Sequence, residues 1–205
     1  MAATVRKMVF WEVDAQKDFM LPGGKLYVPG AEKIIPNIER LVEAAQEAGV
    51  FLVSSACAHA ENDPEFQSFP LHCIRGTEGA RVIAEGLTAD CVTIPNQASF
   101  ILPADLFTHK QVTIEKQELD VFSNPHANQI VKQLGAEAEF VVFGVVTEYC
   151  VHFAAKGLLD RGRKVLVVED AIETLKAEES QRALGELREM GARLITTDEV
   201  VGMLS

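Results

Sequence analysis

Phe140-Val-Val-Phe-Gly-Val-Val-Thr-Glu-Tyr-Cys-Val-His-Phe-Ala-Ala155 reads as an apolar strand that passes through a short turn into a helix, with Cys150 at the join. A thiol in the first turn of a helix faces backbone N–H groups that have no partner within the helix. It also faces the positive end of the helix dipole, and both favour thiolate. At the carboxyl end of a strand in an open α/β sheet, such a residue stands where ligands usually bind.

Outward from this segment, strands are expected at residues 8–13, 50–54, 111–115, 139–144, 164–168 and 193–196, with residues 91–94 a minor strand. Apolar residues at helical spacing (Ile34, Ile35, Ile38, Leu41, Val42, Ala45) give a helix over 31–48, which Gly49 closes. Further helices are expected from Gly76 to about residue 86, over 126–134, from Cys150 to Gly162, and over 177–190. The alternation predicts one α/β domain over residues 1–205, a mostly parallel, six-stranded, doubly wound sheet between two helical layers.

Composition narrows the function. The chain has 205 residues, 48% hydrophobic and 24% charged, which are ordinary globular values. A net charge of −11 argues against a nucleic-acid backbone or an anionic membrane as partner and leaves a small molecule. No apolar run approaches the roughly 18 residues that a membrane span requires. Arg6 and Lys7 precede an apolar run that Glu12 and Asp14 interrupt, which does not read as a signal peptide. The four cysteines (57, 73, 91 and 150) lack paired zinc-finger spacing, so a cytoplasmic protein with reduced thiols is expected.

Asp14, Lys116 and Cys150 share one kind of position, at or just past the carboxyl end of an expected strand. In a doubly wound sheet these ends open on the same side, so the three can converge. Carboxylate, ammonium and thiolate then make a proton shuttle, a charge stabiliser and a nucleophile, a set suited to acyl transfer.

Three ordered motifs carry a resemblance. Asp14-x-Gln16-x-Asp18-Phe19, Lys116 with Phe122 and Ser123, and Gly144-Val-Val-Thr147-Glu-Tyr-Cys150-Val together resemble the nicotinamidase and isochorismatase-like cysteine hydrolases over nearly the whole chain. The resemblance implies an isochorismatase-like three-layer fold. It also implies attack of Cys150 on a small carboxamide to give a thioester and ammonia, with Asp14 as proton shuttle and Lys116 orienting it. By the same resemblance a cis bond joins Val145 to Val146, and the N–H groups of Val146 and Cys150 form the oxyanion hole. Phe19, Phe69, Phe122 and Tyr149 fall at or near positions that line a planar pocket.

In nicotinamidases an Asp-x-His pair and a histidine in a Pro-x-His-Cys segment bind a divalent metal. The matching residues here are Cys57, His59 and His72, with cysteine replacing the aspartate and Asp63 or Glu61 available as substitute carboxylates. Thiolate with two imidazoles favours zinc; loss of the metal, with two loop histidines left, is the other reading. No organic cofactor is expected, and a homo-oligomer is expected by the resemblance alone. Nicotinamide is the leading substrate, with N-carbamoyl, maleamate or ureido amides as alternatives within the same chemistry. A ligand-binding or redox thiol protein on the same scaffold is the alternative outside it.

Overall fold

The computed structural model describes residues 8–204; Arg6 and Lys7, which entered the reading of the amino terminus, lie outside them. In chain order the elements are β1 (Met8–Val13), α1 (Lys17–Met20), α2 (Ile35–Ala48), β2 (Phe51–Cys57), β3 (Cys91–Ile94), β4 (Gln111–Lys116) and α3 (Ala127–Gln133). After these come β5 (Glu139–Val145), α4 (His152–Asp160), β6 (Lys164–Glu173), α5 (Ala177–Glu189), β7 (Arg193–Ile195) and α6 (Thr197–Leu204). The strands form one sheet in the order β3-β4-β2-β1-β5-β6-β7, and every pairing is parallel.

The sheet therefore has seven strands, not the expected six. Cys91–Ile94 is too short to show a period of its own, but it pairs in full register with the first four residues of β4. The expected helix from Gly76 to residue 86 does not form either, apart from one 3₁₀ turn at Ala84–Gly86. The backbone there bonds to the loop after β1 instead: Lys17 N–H donates to Arg81 O at 2.9 Å, Asp18 N–H to Gly79 O at 2.9 Å and Ile83 N–H to Ala15 O at 2.8 Å. With the Gly79 and Arg81 carbonyls and the Ile83 N–H given to another segment, a regular helical ladder does not run through these residues. β6 runs past its expected end to Glu173 through a register shift opposite β5, and Asp170 on it accepts the Thr197 N–H at 2.8 Å, capping α6.

β1 is central and covered on both faces, which is why all its residues but Glu12 are apolar. Val9, Trp11 and Val13 face the core packed with Ile130 and Val131 of α3, Leu158 of α4 and Leu187 of α5. Phe10 faces the opposite core, with Ile38, Leu41 and Val42 of α2 and Val200 of α6.

Glu12 is the exception within β1. It is fully buried, accepts the Ser54 hydroxyl at 2.7 Å on one oxygen, and has no partner on the other. Burial raises its carboxyl from 4.5 to about 8, against the Ser54 bond and with help from Asp14. An acid whose proton is held more tightly in the folded state stabilises fully below its unfolded pKa. That stability is lost as pH rises from about 4.5 to about 8. Glu12→Gln is expected to flatten this decline and raise stability at pH 7 by on the order of 3 kcal/mol. Urea midpoints measured from pH 5 to pH 8 test it; parallel profiles for the two proteins would show that Glu12 is ionised in the fold.

The connectivity places the functional residues. After β1 the chain adds β2 on one side, crosses to the edge for β3 and comes back to place β4 between them, then moves to β1's other side for β5, β6 and β7. The loops leaving β1 and β5 diverge there, which opens a crevice at the carboxyl edge.

Candidate active site

Register brings four strand ends to this crevice. Val13 pairs with Ser55 of β2 and Gly144 of β5, and Cys57 of β2 pairs with Lys116 of β4. Gly144 permits the closest approach: it has φ +117, and a Cβ there would lie 2.1 Å from Val13 O. Asp14, just beyond β1, takes a left-handed backbone at φ 49. Its N–H donates to Ser55 O at 3.0 Å and its Oδ1 accepts the Ser55 hydroxyl at 2.9 Å. Gln16 fixes the end of β2, accepting the Cys57 N–H at 2.7 Å and donating to Cys57 O at 2.8 Å.

Lys116 is the hub. Its Nζ lies 2.8 Å from Asp14 Oδ2 and donates to Cys150 Sγ at 3.3 Å and to Cys57 Sγ at 3.1 Å. Its side chain and that of Asp14 are each 1% exposed. Burial alone would pull the lysine down, yet the negative charge of Asp14 above all holds its ammonium well above the ordinary range. This is a buried ion pair with two thiols as its remaining partners.

The turn after β5 holds a cis bond between Val145 and Val146. Cys150 lies in a tightly wound segment, Thr147–Val151, with Tyr149 out of helical geometry, and α4 begins only at His152. The nucleophile candidate therefore precedes the helix and does not occupy its first turn. The expectation of a resting thiolate is also corrected. The hydrogen bond with Cys57, then burial, then the charge of Asp14 push the Cys150 thiol well above its ordinary value, against Lys116. Sequence placed an anionic sulfur near a helix end; the fold places a neutral thiol beside an ion pair. Cys57 is pulled down by its bond to Cys150, but burial and Asp14 outweigh that and leave it raised.

Cys57, His59 and His72 also converge, with potential ligand atoms within 4.8 Å of one another. His72 Nδ1 lies 2.7 Å from Pro70 O. A carbonyl can only accept, so Nδ1 carries the hydrogen and Nε2 presents a lone pair. Burial lowers the His72 pKa and keeps the ring neutral. His59 is 0% exposed and neither ring nitrogen makes a hydrogen bond. Its Nδ1 stands 3.1 Å from Asp63 Oδ2, close enough for charge interaction but out of line for a bond. Glu65, which sequence reading passed over, has an oxygen 3.9 Å from His72 Nε2; burial raises its carboxyl. Glu61 is exposed and not part of the group.

Phe19, Phe69, Val146, Tyr149 and Cys150 line one narrow cleft with Cys57, Glu65, His72, Leu119 and Leu175. Phe122 does not belong to it. That ring packs on Trp11 at 6.0 Å and under the Arg161 guanidinium at 3.6 Å, in the core beside α4. Glu148 was also missed. It accepts the N–H groups of Leu175 and Lys176 at 3.0 and 2.8 Å and so ties the β6–α5 loop to the Cys150 turn.

The sequence model of the isochorismatase domain family matches residues 10–97 and 88–199. The chain belongs to the isochorismatase family. Among its relatives is the nicotinamidase of Escherichia coli K12, 25% identical over 207 residues that cover 90% of this chain and 92% of that protein. A solved structure of the Pyrococcus horikoshii pyrazinamidase in complex with zinc is 28% identical, with a TM-score of 0.75 over 93% of this chain and 99% of that one. An isochorismatase-like hydrolase from Alkaliphilus metalliredigens shares the fold at a TM-score of 0.78, with 24% identity over 97% and 100% of the two chains. This member of the isochorismatase family is thus a hydrolase with nicotinamidase and pyrazinamidase kin. No helix among the described residues is long and apolar enough to cross a membrane.

Proposed function

We propose that this protein hydrolyses a small neutral carboxamide through a Cys150 thioester. The observation that carries this reading is the single ammonium of Lys116, 2.8 Å from the Asp14 carboxylate and 3.3 Å from Cys150 sulfur. As Cys150 attacks the carbonyl carbon, its proton passes to Asp14, which avoids a standing thiolate in a buried site. Asp14 then delivers that proton to the departing ammonia, and a water activated by the same carboxylate cleaves the thioester. The backbone N–H groups of Val146 and Cys150 are assigned to the developing oxyanion, where losing one such donor costs about 2.7–4 kcal/mol. Lys116 keeps its charge throughout and balances Asp14.

The cleft's charges favour a neutral substrate. Lys116 is committed to Asp14, and the ionisable groups that line the cleft are the Glu65 carboxyl, the His72 imidazole, the Tyr149 phenol and the Cys57 and Cys150 thiols, none of them a standing cation. An amide that carries a carboxylate, such as maleamate or an N-carbamoyl amino acid, finds no free cation among the described residues that line the cleft. Its desolvation would go uncompensated. An aromatic carboxamide of the nicotinamide type meets Phe19, Phe69 and Tyr149 instead. Ammonia release from a panel of neutral and anionic amides tests this; turnover confined to the anionic members, or absent throughout, would overturn it.

The donor set Cys57, His59 and His72 fits a zinc ion. One imidazole lone pair is already oriented by Pro70 O, a second ring lacks hydrogen bonds, and the sulfur is soft. When bound, such an ion supplies a Lewis-acid contact for a lone pair of the substrate. Protein purified without chelator is expected to contain about one zinc per chain, and His72→Ala to lose it. Elemental analysis decides; a metal-free wild type removes the ion from the model of the site.

A further inference from the structure

We propose that Cys57 and Cys150 form a reversible intramolecular disulfide, which makes this crevice an oxidation site for small hydroperoxides. The two sulfurs come from the end of β2 and the turn after β5, yet both accept from the same Lys116 nitrogen, at 3.1 and 3.3 Å. All four cysteines are free thiols. Cys57 and Cys150 line the same cleft.

The other thiols are excluded by placement. Cys73 is 0% exposed and is not among the residues that line the cleft over Cys150. Cys91 opens the edge strand β3 and pairs with Gln111, at the end of β4 opposite Lys116.

Size also favours a small oxidant. As it stands, the cleft over Cys150 has about 30 Å³ of free space. That is roughly one water's share of liquid volume, so a carboxamide enters only as the lining side chains part, whereas a molecule near the size of water needs little such movement. Hydrogen peroxide is the smallest hydroperoxide and enters with the least displacement of side chains.

The chemistry balances with groups already present. Cys150 gives its proton to Asp14 and attacks the peroxide oxygen; the O–O bond breaks, and the leaving hydroxide takes that proton as water. Cys150 is then a sulfenic acid, oxidised by two electrons. Cys57, whose sulfur lies 3.7 Å from Asp14 Oδ2, releases its proton to the same carboxylate and attacks the Cys150 sulfur. The S–O bond breaks and a second water leaves. Two thiols and one peroxide have become a disulfide and two waters, and an external dithiol reverses the change by exchange. On the reading of Cys150 as the amidase nucleophile, the disulfide also stops amide turnover. It equally withdraws Cys57 from any metal.

The test is mass mapping of the intact chain treated with hydrogen peroxide and digested without reductant. A cross-linked pair of peptides holding Cys57 and Cys150, abolished by dithiothreitol, is expected. Cys57→Ser and Cys57→Ala are each expected to carry Cys150 on to sulfinic acid that dithiothreitol does not reverse, at least about ten-fold more than in wild type. Wild type that yields no such cross-link, or that joins Cys150 to Cys73, overturns the proposal. So does irreversible oxidation of Cys150 at equal rates in wild type and both variants. These readings require no amide, so they stand apart from failure of the amidase assignment.

Discussion

Cys150→Ala is expected to lower amide turnover by at least about 10⁴-fold while the protein stays folded. The residue is 7% exposed in the cleft and supplies the sulfur on which the thioester would form. Replacing it removes bond formation itself, not a share of transition-state stabilisation. A second thiol stands beside it, which makes the experiment sharper. Cys57 also touches Lys116, at 3.1 Å, but it ends β2 and lies apart from the Val146 turn whose backbone N–H groups are proposed for the oxyanion. If Cys57 served as nucleophile, Cys150→Ala would retain substantial activity and Cys57→Ser would lose it. Ammonia release by the two variants, together with their thermal melting curves, separates the cases. Retention of more than about 1% of wild-type turnover in Cys150→Ala would end the assignment.

Asp14→Asn is expected to act on activity, stability and thiol reactivity at once. Loss of the proton acceptor lowers turnover by about 10²–10⁴-fold. The lysine left behind is 1% exposed and loses its counter-charge at 2.8 Å, and an uncompensated buried charge destabilises by about 3–5 kcal/mol. Thiol reactivity moves the other way. Asp14 is among the groups that raise the Cys150 thiol, and Lys116 opposes it. Without the carboxylate the thiol pKa falls, so iodoacetamide should label Cys150 faster at neutral pH even as amide turnover collapses. Urea midpoints, amide kinetics and alkylation rates check the three parts. In Asp14→Asn with Lys116→Met the lost stability should largely return and the activity should not. Alkylation slowed in step with turnover would mean that Asp14 acts only by holding the crevice together.

Sequence alone determined a good deal of this protein. Apolar runs bounded by Gly, Asp and Glu located six of the seven strands, because a strand buried on both faces is mostly apolar, and the seventh, at 91–94, was legible only as a minor strand. The same logic put Asp14, Lys116 and Cys150 at strand ends, and in a parallel sheet strand ends share an edge. The Cys57, His59 and His72 group was legible in the same way, from residue type and loop position.

What sequence could not determine was fixed by contacts between distant segments. β3 exists because β4 offers an edge, and residues 76–86 stay irregular because the loop after β1 takes their hydrogen bonds. Phe122 stands in a motif beside the site, yet Trp11 and Arg161 hold it in the core. The state of Cys150 depends most on tertiary structure. Local position predicts an anionic thiol near a helix end, whereas burial, Asp14 and the Cys57 sulfur keep its proton on. Charge and proton affinity depend on every group within a few ångströms, and chain order does not specify which groups those are.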